Sequence, residues 1–180
     1  MNDAYAELTA SDTVRIERLL PGPIERVWAW LTEPDKRRQW LAGGGMELRV
    51  GGAVELRFRH AELSPVQGPV PERYREMHEN GHVNHGRVTT CDPPRRLAYT
   101  WGDTGDDASE VAFELSPQGD RVLLVLTHRR LQRSDMASVA SGWHAHLCIL
   151  LDRLHDRLPA NFWIAHTRLE REYAKRLPAA

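Results

Sequence analysis

The sequence predicts an α+β domain in which an antiparallel β-meander is covered on one face by a long helix. Two observations carry this prediction. Segments in the second half of the chain alternate apolar and polar residues, as half-buried strands do, and short turn sequences separate them. A later segment repeats apolar residues at helical spacing over its whole length. With 180 residues, of which 41% are apolar, a single domain over residues 1–180 can bury a core of its own.

The first elements are a strand and two short helices. Residues 13–20 alternate and are stopped by Pro21, because proline cannot donate a ladder hydrogen bond. Apolar residues then recur at helical spacing from Ile24 to Leu31. A second short helix is predicted from Pro34 to Leu41, with the proline in its first turn and a run of glycines after its end.

A hairpin and a long irregular segment come next. Residues 46–50 and 53–60 are predicted strands joined by a Gly51-Gly52 turn, and the second strand has one apolar and one charged face. Residues 61–81 contain three prolines, which exclude a long regular element and leave room for only a short surface helix. We therefore expect a loop insertion there, either an ordered lid or a mobile loop.

Four further strands complete the meander, and two helices follow. The strands are predicted near residues 82–91, 95–101, 109–115 and 121–128, with a turn at residues 102–105. Ser134 is the expected N-cap of the long helix, which continues to about Leu158. After Pro159 a terminal helix occupies the extension over residues 159–180. Its aromatic residues either pack on the same domain or form a homodimer contact.

Four segments give the chain a family resemblance. They are P-x-E-R-V-W-x-x-L-T at 23–32, D-P-P-R-R-L-x-Y-T-W at 92–101, L-x-L-T-H ending at His128 and G-W-x-x-H-L at 142–147. Together they resemble the START/Bet v 1-like (SRPBCC) superfamily, in the branch named after the activator of heat-shock protein 90 ATPase. The resemblance covers a core of about residues 12–158. It implies a helix-grip fold, in which a curved antiparallel sheet wraps around the long helix and leaves an internal cavity.

The composition of the long helix indicates where such a cavity lies. The first half of the helix carries small residues such as Ala137, Ser141 and Gly142, whereas its second half is rich in leucine. Small helix residues facing large strand residues favour a hollow between helix and sheet, unless the strand aromatics fill it. The candidate ligand-binding residues are Phe58, His60, Tyr99, Trp101, Phe113, His128, Trp143, His146 and Leu147. Strand alternation points His128 inward, which makes it the predicted polar contact to a ligand.

Several function classes are excluded or disfavoured. The formal charge of −1 gives no field that would attract nucleic acid or an anionic membrane. The chain shows no signal peptide and no membrane span, so we expect a cytoplasmic protein in which Cys91 and Cys148 are reduced and buried.

The charged and histidine side chains also lack the spacing of a catalytic or metal site. His78, His82, His85, His144 and His146 do not have metal-ligand spacing and are interpreted as exposed loop or edge residues, although His146 is also one of the candidate ligand-binding residues. No nucleophile motif or phosphate loop is present, so no metal and no cofactor are expected. The arginines, together with Glu55, Glu110 and Glu114, are interpreted as solvated surface.

Three functional hypotheses follow. The first is a binding protein that holds an apolar or aromatic small molecule between sheet and helix. The second is an enzyme of the polyketide cyclase/dehydratase type, which the superfamily resemblance implies, with His128 or His60 as general acid/base. The third is a module that binds a protein partner, in the chaperone-associated sense of the family's name.

Overall fold

Seven antiparallel strands form one curved sheet in the computed structural model, which describes residues 4–102 and 105–177. In chain order they are β1 (Glu7–Ala10), β2 (Thr13–Pro21), β3 (Ala53–Phe58), β4 (His82–Asp92), β5 (Arg96–Trp101), β6 (Ser109–Gln118) and β7 (Arg121–Arg129). Their order across the sheet is β1-β2-β7-β6-β5-β4-β3. The long β2 closes on β7 over eight residue pairs, from Val14 opposite His128 to Pro21 opposite Arg121.

Five helices accompany the sheet. They are α1 (Ile24–Thr32), α2 (Pro34–Arg37), α3 (Arg75–Asn80), α4 (Met136–Leu154) and α5 (Phe162–Arg176). The predicted α+β architecture, with a long helix on the sheet and an extra terminal helix, is confirmed. α4 packs against β2 on one side and against α5 on the other. One hydrophobic cluster runs from Ala6 to Tyr173 through the space between them. Among the described residues, no helix combines the length and apolar character needed to cross a bilayer.

The strand predictions failed at two places. Residues 46–50 are not a strand; only an isolated bridge joins Met46 to Val54. The edge of β3 is instead met by the preceding glycine run. Gly43 exchanges two backbone hydrogen bonds with Arg57, and the Gly45 carbonyl accepts one from the Glu55 N–H. Gly44 between them has φ +93°, and a Cβ there would lie 2.3 Å from a carbonyl oxygen of β3, so only glycine permits this crossing. The second miss is β1, a short polar strand that the alternation did not reveal.

Helix ends and caps differ from prediction in four ways. α2 ends at Arg37 and continues as turns, and α4 ends at Leu154 instead of about Leu158. Ser134 is not the N-cap of α4, since a 3₁₀ turn over Arg133–Asp135 precedes the helix and Asp135 occupies the cap without a side-chain bond. α5 has a cap that was not predicted, because the Asn161 side chain accepts a hydrogen bond from the Ile164 N–H.

Two arginines and a glutamate contradict the expectation of a solvated charged surface. Arg37 is fully buried and donates to the carbonyl oxygens of Thr32, Ala42 and Gly44, which fastens the loop after α2. Arg18 is also fully buried and donates to the Ala4 carbonyl. Glu110, although on the outer face of the sheet, is buried beneath its ion-pair partners on β7 and just after it, so side-chain cover rather than strand parity determines its exposure.

Segment 61–81 is held against the domain by α5 and by the chain just before it. The Ser64 hydroxyl donates to the Pro159 carbonyl at 2.7 Å, and the Tyr74 ring stacks on Trp163 with centroids 4.9 Å apart. The expected short helix is present as α3 and ends at Gly81, whose φ is +74°. Cys91 and Cys148 are not joined in a disulfide, as predicted, but both are half-buried rather than fully buried. Asp103 and Thr104 of the predicted turn lie outside the described residues.

Candidate functional site

A cavity of about 250 Å³ lies beneath the first half of α4. Its lining combines aromatic rings, histidines and a few small or apolar residues: Phe58, His60, Tyr74, Met77, His82, Trp101, His128, Ser138, Val139, Gly142, Trp143, His146, Phe162, Trp163 and His166. None of these is Lys, Arg, Asp or Glu. The hollow predicted from the small residues of α4 is therefore present, although Ser141 faces α5 instead, at 3.3 Å from His166.

The cavity has a deep end and a mouth. The deep end consists of buried side chains, among them His60, His146, Phe162 and Trp163. The exposed His82 and six partly exposed residues surround the mouth: Tyr74, Met77, Trp101, Ser138, Val139 and Gly142. A ligand that enters here would pass from a solvent-exposed mouth to a buried aromatic interior.

His128 is held by the protein through both ring nitrogens. The Trp143 indole N–H donates to Nδ1 at 2.9 Å, so Nδ1 is the unprotonated nitrogen of the neutral ring. The Nε2–H then donates to the Ser109 hydroxyl at 3.0 Å, and that hydroxyl donates to the Trp101 carbonyl. Burial lowers the pKa of His128 to about 3. His128 is thus directed inward as predicted, but its hydrogen-bonding capacity is already used.

His146 keeps one nitrogen free. Its Nδ1 lies 2.6 Å from the Trp40 carbonyl oxygen, which can only accept, so Nδ1 carries the proton. Nε2 is therefore an acceptor; the one hydrogen bond of this ring among the described residues is made by Nδ1, and His146 lines the cavity. Burial lowers the pKa of His146 to about 4, and the bond to Trp40 opposes this shift.

His60 lies at the deep end with no hydrogen bond to its ring among the described residues. Strand alternation was the wrong reason for expecting it there, because β3 ends at Phe58 and a 3₁₀ turn carries His60 inward. Its centroid lies 4.5 Å from that of Phe162, 4.8 Å from Trp163 and 5.6 Å from His146. Its buried Nδ1 has no hydrogen-bond partner within residues 4–102 and 105–177. Burial, with a smaller contribution from neighbouring histidines, lowers the pKa of His60 to about 2.

Six of the nine predicted site residues line the cavity and three do not. Tyr99 and Phe113 are buried behind Trp101 and Trp143, where they stack on each other with centroids 6.0 Å apart. Leu147 is also fully buried but lies outside the lining. Strand aromatics therefore fill part of the hollow, and the open part is displaced towards segment 61–81 and α5.

Sequence reasoning missed the residues that segment 61–81 and α5 contribute. Tyr74, Met77, Phe162, Trp163 and His166 all line the cavity. The available signal was the aromatic content of α5, which was interpreted as packing on the domain or as a dimer contact. The structure shows packing on the domain, since Phe162, Trp163 and Tyr173 are buried against their own chain.

Two further histidines are structural. His144 was expected to be exposed but is buried, and its Nδ1 accepts from the Tyr173 hydroxyl at 3.0 Å, while that oxygen accepts from the Ala6 N–H. His78 accepts from the Trp163 indole N–H at 2.9 Å. Across residues 4–102 and 105–177, no three His, Cys, Asp or Glu side chains are arranged to hold a metal ion.

The fold and the cavity can now be compared with known proteins. The model of the family described as Activator of Hsp90 ATPase homolog 1-like protein matches residues 21–155. The chain belongs to this family. Its curved sheet, long helix and extra helix are the helix-grip fold of the START/Bet v 1-like superfamily, which confirms the resemblance carried by the four sequence segments.

Solved structures support this membership. A protein from Bordetella parapertussis, solved by solution NMR, shares 46% identity, with a TM-score of 0.78 over 97% of this chain and 90% of that one. The CalU16 protein from Micromonospora echinospora shares 25% identity, with a TM-score of 0.64 over 92% of this chain and 85% of that one. The Aha1 dimer from Colwellia psychrerythraea, at 18% identity, has a TM-score of 0.58 over 79% of this chain and 95% of that one and shows the fold alone. A search of curated proteins gives no match.

Proposed function

We propose that this protein binds an apolar or aromatic small molecule in the cavity beneath α4. The observation that carries the proposal is a hollow of about 250 Å³ lined by aromatic rings and by no Lys, Arg, Asp or Glu. Burying apolar ligand surface in such a site contributes about 25 cal/mol per Å² before the costs of association. The polar part of the lining is five histidines, Tyr74 and Ser138, and His128 among them is already hydrogen-bonded within the protein. A mainly aromatic lining with a limited number of available polar atoms is the usual composition of a small-molecule site.

Gly142 supports a ligand rather than incomplete packing. A Cβ at this position would meet no heavy atom within 4 Å, although Gly142 sits within α4 and lines the cavity. Glycine in a helix interior costs about 0.5–1 kcal/mol relative to alanine. Glycine at this position therefore makes α4 less stable than alanine would, and the missing side chain leaves the cavity open.

Binding rather than turnover is favoured by the state of the histidines. His128 has no free nitrogen to exchange a proton with a ligand. His60 and His146 are free, but burial keeps both rings neutral and weakly basic. A cyclase-like enzyme with His60 as general acid/base is the second candidate, because the unpartnered His60 ring lies at the deep end. It predicts that His60→Phe abolishes turnover, whereas a binding protein would lose only modest affinity.

Native mass spectrometry of freshly purified protein is the first test. We expect a co-purifying species that is released on unfolding and absent from a Gly142→Leu variant. The leucine fills the cavity from a helix position that favours it over glycine, so the fold is retained.

Calorimetric titration with naphthalene is the second test. The wild type should bind, Gly142→Leu should bind at least about tenfold more weakly, and Gly142→Ala, which adds one methyl group, should differ from wild type by less than about threefold. Equal binding by the leucine variant and the wild type would place the ligand elsewhere and contradict the proposal.

Binding of a protein partner is the third candidate function. It is favoured if neither experiment detects a bound small molecule. A homodimer through α5 belongs to this class. The aromatic residues of α5 are buried against its own chain, so such a contact would use Ile164, which is 49% exposed. Ile164→Glu should then reduce the molecular mass in dilute solution from dimer to monomer. A cytoplasmic location remains part of this proposal and can be checked by cell fractionation.

A further inference from the structure

We propose that the ligand is an uncharged one- or two-ring aromatic compound that donates a hydrogen bond, through a phenolic hydroxyl or an N–H group, to Nε2 of His146. This inference rests on the proposed function, because it concerns the same cavity. It assigns polar recognition to His146 and His60 rather than to His128.

The donor requirement follows from the His146 tautomer. The Trp40 carbonyl fixes the proton on Nδ1, so Nε2 can only accept a hydrogen bond while the ring is neutral. A ligand that buries Nε2 without donating to it leaves a desolvated acceptor, which is costly. A ligand carbonyl or ether oxygen cannot satisfy this atom, whereas a hydroxyl or N–H can.

His60 provides an adaptable second contact. Its ring has no hydrogen-bond partner among the described residues, so either tautomer is available to a ligand. The centroids of the two imidazoles are 5.6 Å apart, which places both at the same end of the cavity. A hydroxyl both donates and accepts, and can therefore donate to His146 and accept from His60.

The exclusion of anions follows from the charges around the site. Among the residues that the structure describes, no arginine or lysine lines the cavity. Arg73, whose charge affects His166, lies over the Tyr74 ring at the mouth and is engaged in an ion pair with Glu170. His78 and His82 also lie close enough to His60 to affect it. His78 accepts a hydrogen bond from the Trp163 indole, and His82 lies at the exposed mouth of the cavity. A carboxylate at the deep end would lose its hydration without gaining a counter-ion.

The size limit follows from the volume. About 250 Å³ lies just below the 300–1,000 Å³ typical of pockets for drug-sized ligands. The side chains that confine it at the deep end are rings, including Phe162 and Trp163. One ring or two fused rings would therefore fit better than a longer polycyclic compound.

The test is a calorimetric titration at pH 7 with 2-naphthol, 2-methoxynaphthalene and 2-naphthoate. These probes share one ring system and differ in the polar group: a donor, an acceptor without a donor, and an anion. We expect 2-naphthol to bind about three- to tenfold more tightly than 2-methoxynaphthalene, and 2-naphthoate to bind most weakly. Equal affinity for all three would overturn this inference and leave the proposed function standing, whereas no binding of any probe would count against both.

Substitution assigns the effect to one atom. His146→Asn keeps an N–H donor near the position of Nδ1 for Trp40 and removes Nε2, so the preference for 2-naphthol should fall to about unity. His144→Asn is the matched control, since His144 is buried on the same helix but bonds to Tyr173 outside the cavity. Its preference should match that of the wild type. A preference that survives His146→Asn would contradict the assignment.

A measurement on the wild type guards against a variant that fails to fold. The ¹⁵N resonance of His146 Nε2 should shift when 2-naphthol is added and stay in place with 2-methoxynaphthalene, while Nδ1 remains protonated in both. An unchanged Nε2 resonance with bound 2-naphthol would overturn the inference.

Discussion

The cavity has two walls that differ in how their polar groups are used. The sheet wall consists of Phe58, Trp101 and His128, and the cover wall consists of His60, Tyr74, Met77, Phe162, Trp163 and His166. On the sheet wall the His128 imidazole is fully hydrogen-bonded within the protein. On the cover wall the His60 imidazole has no hydrogen bond among the described residues.

This difference shows that burial alone does not identify a functional histidine. His128 and His60 are both buried and both neutral, but only His60 has hydrogen-bonding capacity left for a ligand. A satisfied buried polar group contributes to stability, whereas an unsatisfied one costs free energy that a ligand can recover.

Acid should produce the largest effect, and it should act on both walls. The pKa values of His60, His128, His144 and His146 are lowered to between about 2 and 4 by burial, against 6.5 for a free histidine. Below pH 6.5 the unfolded chain binds protons that the folded state does not. The free energy of unfolding therefore decreases as the pH is lowered, until the pKa values of the folded state are reached. Between pH 7 and 5 we expect a loss of about 1–2 kcal/mol per histidine.

Urea unfolding at several pH values measures this loss. His60→Phe and His128→Leu should each flatten the pH dependence by the share of one histidine, since neither replacement titrates. A stability that is constant from pH 7 to 5 would show that these rings are hydrated and not part of a dry interior.

Removal of Trp163 should give the next largest effect and should damage the cover wall alone. Its side chain is buried, donates to His78 and stacks on Tyr74, so Trp163→Ala should cost about 3–5 kcal/mol in urea unfolding. Trp163→Phe keeps the ring and should cost much less. Trp101→Ala on the sheet wall is the comparison, and because Trp101 is partly exposed its loss should be smaller. Equal losses from the two alanine variants would contradict the distinction between the walls.

The two walls also differ in how far the sequence predicts them. Alternation along β6 and β7 placed Val111, Phe113 and His128 on the inner face, because strand side chains alternate with period two. The hydrogen bonds that satisfy His128 come from Trp143 and Ser109, and strand parity carries no information about such non-local partners.

The cover wall required information that no local pattern contains. The periodicity of α5 predicts an apolar face but does not say which surface covers it. His60 reaches the interior through a 3₁₀ turn after β3, and Tyr74 through another turn inside segment 61–81. The fold could therefore be predicted from alternation, helical spacing and family motifs, whereas the open side of the cavity depends on how two irregular segments pack together.

His128 itself should give an intermediate effect on stability and almost none on binding. His128→Leu leaves the buried Trp143 N–H without its acceptor, so we expect a loss of about 1–3 kcal/mol. His128→Asn can keep that bond through its side-chain oxygen and should lose less. Affinity for 2-naphthol should change by less than about threefold in the asparagine variant. A large loss of affinity for 2-naphthol without a loss of stability would show that the ligand contacts His128 on the sheet wall, and would contradict the assignment to His146.

The smallest effect, and the only stabilising one, should come from Gly142→Ala between the two walls. The new methyl group meets open space and relieves the cost of glycine within α4, so the free energy of unfolding should rise by about 0.5–1 kcal/mol. Gly86→Ala in β4 is the matched control, because its Cβ would lie 2.0 Å from the Thr100 carbonyl oxygen and must destabilise the sheet. Thermal unfolding of both variants compares an empty position with a filled one. If Gly142→Ala were also destabilising, the space beside α4 would be occupied by protein, and the hollow on which ligand binding depends would be closed.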